Sequence, residues 1–109
     1  MRYLTNTFSP AMLKPGREAK VEEISLEEVR ELLGSHWTSA VSHEITAVVL
    51  SKLLGLHVPF ARIALALDHG DTLLCVIPNF RAIEAREFTR EEVESAGYRC
   101  FLVVVGDLR

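Results

Sequence analysis

The sequence predicts an α/β (α+β) domain in which a small mixed sheet of about five strands is flanked by helices. Three observations predict it. In the stretch from Ser42 to Gly55 the apolar residues Ile45, Val48, Val49 and Leu53, with Ala47, Leu50 and Leu54 alongside, recur at the three-and-four spacing of a helix that buries a broad stripe. Two capping boxes, Ser25-Leu26-Glu27-Glu28 and Thr89-Arg90-Glu91-Glu92, open two further helices. Short apolar runs fill the intervals, so the order reads strand, helix, helix, hairpin, short helix, strand. Residues 1–109 form one domain, without repeats, linkers or low-complexity tracts.

The first strand is Arg2 to Thr5, followed at Ser9 by a cap with Pro10 at the first helical position. Val21 to Ile24 is a short second strand. Ser25 then opens a helix with Leu26, Val29, Leu32 and Leu33 inward, and Gly34 ends it. Ser35 to Val41 is a connector holding the single tryptophan, Trp37, which reads as a core anchor. In the central helix Ser42 is expected to be the N-cap, with His43 and Glu44 in the first turn and Gly55 at the stop.

Beyond it, Ala61 to Leu67 alternates as a strand, with Ile63, Leu65 and Leu67 on one face. Asp68-His69-Gly70-Asp71 turns it back into Thr72 to Ile77 as a hairpin. Neither alternating set is polar, so the sheet should be covered on both faces or bury one in a partner. Pro78 closes that strand, a charged loop carries Arg81 and Glu84, and a short helix ending at Gly97 leads to the last strand, Tyr98 to Val105.

Composition narrows the function. With 49% hydrophobic and 25% charged residues the chain is an ordinary globular one, and its net charge of -3 argues against a general DNA coat or an anionic membrane as partner. Any phosphate site must be local. The longest apolar runs are too short to span a bilayer, and a cytoplasmic protein is expected. Cys75 and Cys100 lie in strand-like apolar segments without metal-ligand spacing, so they read as two buried thiols, and no metal or other cofactor is indicated.

His43, Arg62, Arg81 and Glu84, with Asn6 and Ser9, are polar residues set at the ends of otherwise apolar elements, where sites usually sit. A histidine at the start of a helix stands beside free amides and the positive end of the dipole, which attract anions such as phosphate. Solvated helix-start residues and surface ion pairs explain the same pattern more plainly.

Their order adds to this. Asn6-Thr7-Phe8-Ser9-x-x-Met12-Leu13, then Ser42-His43-x-x-Thr46-x-x-x-Leu50-x-x-Leu53-Leu54-Gly55-x-x-Val58-Pro59-x-x-Arg62, then Gly70-Asp71 and Arg81-x-x-Glu84, together resemble the viral ring nucleases, the type III anti-CRISPR proteins, from about Tyr3 to Val105. The resemblance implies a homodimer that binds cyclic tetra-adenylate, the messenger of type III CRISPR effectors, and cuts it into linear di-adenylates without a metal. By motif position His43 matches the catalytic histidine, Arg62 and Arg81 the phosphate-contacting arginines, and Glu84 the loop glutamate. Asn6 and Ser9 match the N-terminal ligand contacts, and Ser42 and Ile45 fall at substrate-contacting positions beside the histidine.

The chain also departs from that pattern. Ser42 and Ala85 stand where glycine is typical, and Ile45 and Ala11 where polar contacts are common. The same residues fit two other classes: a binding module that holds the cyclic nucleotide without cutting it, and a small viral or prophage interaction dimer.

Overall fold

A computed structural model of the chain describes residues 1–78 and 89–108. Arg81 and Glu84 therefore lie outside the described residues. Five strands form one mixed sheet: β1 (Arg2–Thr5), β2 (Arg17–Ile24), β3 (Thr38–Ser39), β4 (Thr72–Pro78) and β5 (Tyr98–Asp107), in the order β2-β5-β4-β1-β3. On one side of the sheet β3, β1 and β4 run parallel; on the other, β4, β5 and β2 run antiparallel. The helices are α1 (Leu26–Leu33), α2 (Glu44–Leu54) and α3 (Arg90–Ala96), the mixed α+β fold that the sequence predicts.

Alternation along the strands builds two cores. Leu4, Leu74, Val76 and Cys100 face the helices and meet Val29 and Leu33 of α1, Leu50 and Leu53 of α2 and Val93 of α3. Leu73, Cys75, Val103 and Val105 face the other way and are covered by Leu67, with Phe8, Met12, Leu13 and Leu65 packed around them. The middle of the sheet is thus covered on both faces, by helices on one and on the other by the turn at Pro10–Met12 and the segment ending at Leu67, while Val21 of β2 and Val104 of β5 stay exposed.

Local chemistry sets the helices. Both capping boxes form, Ser25 with Glu28 and Thr89 with Glu92. Gly55 ends α2 at φ 68°, a left-handed conformation that glycine adopts without steric cost. Arg30 reaches across from α1 to donate from Nε to the Leu54 carbonyl (2.9 Å) and from Nη2 to the Leu53 carbonyl (2.6 Å), placing a cation on the orphan acceptors at the negative end of α2.

Four expectations are corrected. Residues 61–67 do not form a ladder strand: only Leu67 bridges Leu13, with the Lys14 amide donating to the Leu67 carbonyl at 2.9 Å and the Leu67 amide to the Met12 carbonyl at 2.7 Å. The reason is that β4 spends one edge on β1 and the other on β5, so an antiparallel hairpin partner has no slot. The fifth strand is instead the two-residue β3, inside the expected connector. β2 begins at Arg17, earlier than its apolar end suggests, because an edge strand tolerates the exposed charges of Glu18, Lys20, Glu22 and Glu23. At α2 the N-cap position belongs to His43 and not to Ser42.

The two thiols are buried and free. Cys100 pairs in register with Val76, and Cys75 with Phe101, so the cysteines sit on opposite faces of adjacent strands and cannot bridge. Burial pushes the Cys75 thiol up to about 12 and the Cys100 thiol up to about 11.

At the end of the sheet away from α2's start, the turn at 68–71 is clasped by charge. Arg17 Nε donates to Asp68 Oδ1 at 2.6 Å and Lys14 Nζ to Asp68 Oδ2 at 3.1 Å, while Arg17 Nη1 lies 3.2 Å from Asp107. The Arg17 hydrogen bond, then the His69 backbone amide and Lys14, hold the Asp68 carboxyl well below the usual carboxylate range. A depressed folded-state value stabilises fully above the unfolded value and loses that effect as pH falls toward the folded one. Asp68→Asn should therefore lower the urea midpoint by a constant amount from pH 7 to about 5, with the gap narrowing below about pH 4, where an unfolded aspartate takes up its proton. A gap that widens on acidification contradicts the clasp.

Candidate functional site

The three parallel strands deliver their carboxyl ends to one side of the molecule, the location where open sheets with parallel strands most often bind ligands. Asn6 follows β1 there, Ser42 and His43 follow β3, and β4 ends at Pro78. Thr5, buried at the end of β1, donates from its hydroxyl to the Ala40 carbonyl (3.3 Å), and the Ala40 amide donates to the Leu4 carbonyl (2.8 Å). These bonds carry the β1 to β3 pairing up to the residues that enter α2.

His43 has extended backbone (φ -125°, ψ 130°), and its carbonyl accepts the first intrahelical bond, from the Ala47 amide at 3.0 Å. Its imidazole makes no capping hydrogen bond. The exposed ring stands at the helix start without being spent on the amides there.

Arg62 arrives from a separate segment. After α2 the chain passes Pro59 and returns alongside β3, where Ser39 Oγ donates to the Pro59 carbonyl (2.6 Å) and the Ala61 amide donates to the Val41 carbonyl (2.9 Å). The next residue is Arg62. Together Ser42, His43, Glu44, Ile45, Phe60 and Arg62 line an open cleft of ≈ 380 Å³.

Four of the residues singled out in the sequence thus share one cleft: Ser42, His43, Ile45 and Arg62. Asn6 stands at the end of the neighbouring strand without lining it, and Ser9 lies further along, its hydroxyl accepting from the Ala11 amide at 3.3 Å to cap a 3-10 turn at Pro10–Met12. Two lining residues carry no site signal in the sequence: Phe60, 44% exposed, and Glu44, an acidic residue in the first turn of α2. The histidine and arginine offer a proton donor and a fixed cation beside the first-turn amides, a set suited to an anion with a leaving oxygen. Glu44 brings an opposing charge to the same lining.

A second, larger hollow of ≈ 550 Å³ adjoins the first through Glu44 and Phe60, and is lined also by Ala47, Val48, Ser51, Lys52, His57 and Val58. Val48 is 52% exposed on this face of α2, and Ile63 lies exposed one residue beyond Arg62. Among the described residues no three His, Cys, Asp or Glu side chains gather closely enough to hold a metal ion, and no helix is long and apolar enough to cross a membrane.

Known proteins match this chain over nearly its whole length. It is 38% identical to "Uncharacterized protein 26" of Sulfolobus islandicus filamentous virus (isolate Iceland/Hveragerdi) across 96% of this chain and 92% of that one. "Uncharacterized protein ORF117" of Acidianus two-tailed virus is 28% identical across 93% and 90%. The solved structure of B116 of Sulfolobus turreted icosahedral virus superposes with a TM-score of 0.81 at 22% identity, covering 94% of this chain and 97% of that one, which shows the shared fold. The relatives are proteins of archaeal viruses. The family model of the STIV B116-like proteins matches residues 2–100, and the chain belongs to that family.

Proposed function

We propose that this protein is a metal-independent ring nuclease that binds cyclic tetra-adenylate and cleaves it to linear di-adenylates, switching off type III CRISPR signalling. The observation that carries the reading is the cleft in which His43, with an uncommitted ring, and Arg62 stand together at the start of α2. Viral relatives agree with a role against host defence.

A ribose 2′-hydroxyl held in line with its own 3′-phosphate supplies the nucleophile, so much of the rate enhancement comes from positioning. As the P–O2′ bond forms and the P–O5′ bond breaks, leaving a 2′,3′-cyclic phosphate, the 2′-hydroxyl proton passes to solvent and His43 protonates the departing 5′-oxygen as general acid. Arg62 and the amides opening α2 stabilise charge on the phosphoryl oxygens. Arg81 is assigned a second guanidinium contact and Glu84 the orientation of Arg81 or a ribose hydroxyl. Asn6, Ser9, Ser42 and Ile45 shape the ligand's seat.

A homodimer completes the reading. A ring of four identical units has rotational symmetry, and a two-fold pair of clefts presents one catalytic set to each of two opposite linkages. The half-exposed Val48, Phe60 and Ile63, beside the cleft, are the apolar surface such a pair would bury.

Ser42 and Ala85, in place of glycines, favour a second reading in which the ring is held and not cut. Incubation of the purified protein with cyclic tetra-adenylate in EDTA separates the outcomes. Conversion of each ring into two di-adenylates is expected. Binding without products supports the sequestering module, and neither binding nor cleavage returns the protein to the class of interaction dimers.

A further inference from the structure

We propose that Ser39 is a positioning residue that fixes Arg62 beside His43 through the backbone of residues 59–61. The proposal rests on the reading of the cleft as a phosphodiester site, and it names a residue outside the cleft lining on which the geometry of that site depends.

The segment that carries Arg62 has no ladder to hold it. Pro59 lacks an amide hydrogen, and residues 59–66 belong to no strand. Its path is fixed by single bonds. Ser51 Oγ accepts from the Val58 amide (2.9 Å) while donating to the Ala47 carbonyl (2.7 Å). Ser39 Oγ donates to the Pro59 carbonyl at 2.6 Å, and the Ala61 amide donates to the Val41 carbonyl at 2.9 Å. Ser39 is only 6% exposed, and its oxygen also accepts from the Val41 amide at 3.4 Å. One buried hydroxyl therefore joins the strand leading to His43 with the segment leading to Arg62.

The consequence is geometric. Arg62 is one residue beyond the Ala61 bond and three beyond the Pro59 bond, so its Cα position follows those two anchors. The hydroxyl bond at 2.6 Å lies at the short end of the range for O–H···O pairs, and losing it leaves the Pro59 carbonyl without that partner. A displacement of about 1 Å in a group that must meet a phosphoryl oxygen is enough to cost about 10²-fold in rate.

The test compares Ser39→Ala, Ser39→Thr, Arg62→Ala and the Ser39→Ala/Arg62→Ala double variant for cleavage of cyclic tetra-adenylate. Ser39→Ala should lower kcat by up to about 10²-fold with little change in KM, Ser39→Thr should recover most of that loss, and the double variant should be no worse than Arg62→Ala, as expected for residues acting as one unit. Should the alanine variant fail to fold, Ser39→Cys keeps the volume while weakening the donor. Fully additive losses, or no recovery with threonine, overturn the proposal. Amide hydrogen exchange gives a readout independent of cleavage: in Ser39→Ala the Ala61 amide should exchange at least about tenfold faster while Ala47, bonded within α2, is unchanged. Equal changes at both, or none at Ala61, also overturn it. If the wild-type protein neither binds nor cuts the ring, the functional reading fails, and the exchange result still decides whether Ser39 holds the segment.

Discussion

Replacing His43 by alanine should slow cleavage of cyclic tetra-adenylate by a factor of about 10² to 10⁴, the contribution expected of a single general acid, while the ring still binds. The fold has little stake in this side chain. It is exposed, it makes no capping bond, and the helix-opening bond uses its backbone carbonyl, which alanine retains. The loss should therefore fall on kcat far more than on KM, the pattern of an interaction made only in the transition state. His43→Ala with an undiminished cleavage rate contradicts the assignment, and parallel loss of binding moves His43 from proton donor to ligand contact.

Leu50→Ala should be among the most damaging single truncations in the described core. Leu50 is fully buried at the middle of α2, in the layer between the helices and the sheet that also holds Leu4, Leu33 and Leu74. Deleting a buried leucine side chain removes its transfer energy and leaves a cavity, together about 2 to 5 kcal/mol, a large part of the stability of a domain this size. Thermal unfolding should fall by more than about 10 °C, since each kcal/mol moves Tm by about 4 to 8 °C in domains near 100 residues. Val48→Ala, two residues earlier but half exposed, is the matched control and should stay within about 0.5 kcal/mol in the monomer. Equal losses for the two would mean that α2 does not present the face assigned to it.

The helices were legible because their signals are local, although Leu32, expected inward on α1, is 38% exposed while Leu26, Val29 and Leu33 are buried. A capping box is a four-residue pattern, and both were read at the serine and threonine where they form. The stripe of α2 was legible from spacing except at Val48, which the spacing places on it but which is 52% exposed. The helix's first residue was not legible: Ser42 and His43 are adjacent polar residues before the same helix, and only backbone geometry decides which of them is the cap. The strands were harder because their partners are remote. A two-residue strand such as β3 has no period to detect, and the charged part of β2 does not look like a strand until β5 is beside it. The alternation of Ile63, Leu65 and Leu67 was real but marks a covering segment, in which burial rises from the exposed Ile63 to the sealed Leu67.

The candidate site divides the same way. His43 could be found from the helix start, and Arg62 from its place at the head of an apolar run, yet no spacing rule relates two residues nineteen apart. They line one cleft because buried hydroxyls tie the chain back on itself: Thr5 holds β1 to Ala40, and Ser39 holds β3 to Pro59. A lone serine in a connector carries no such signal. Arg30 is similar, reading as one more charge on α1 until its guanidinium is seen on the last carbonyls of α2.

Everything proposed for this protein requires that a cyclic oligoadenylate occupy the cleft at the start of α2. Titration of the isotopically labelled protein with a cyclic tetra-adenylate carrying 2′-O-methyl groups, which removes the attacking hydroxyl, tests it most directly by backbone amide shifts. Saturable shifts should be concentrated at residues 42–46 and 60–62 and at Asn6. Shifts confined to the clasped turn at 68–71, at the far end of the sheet, or no shifts at all, would contradict it.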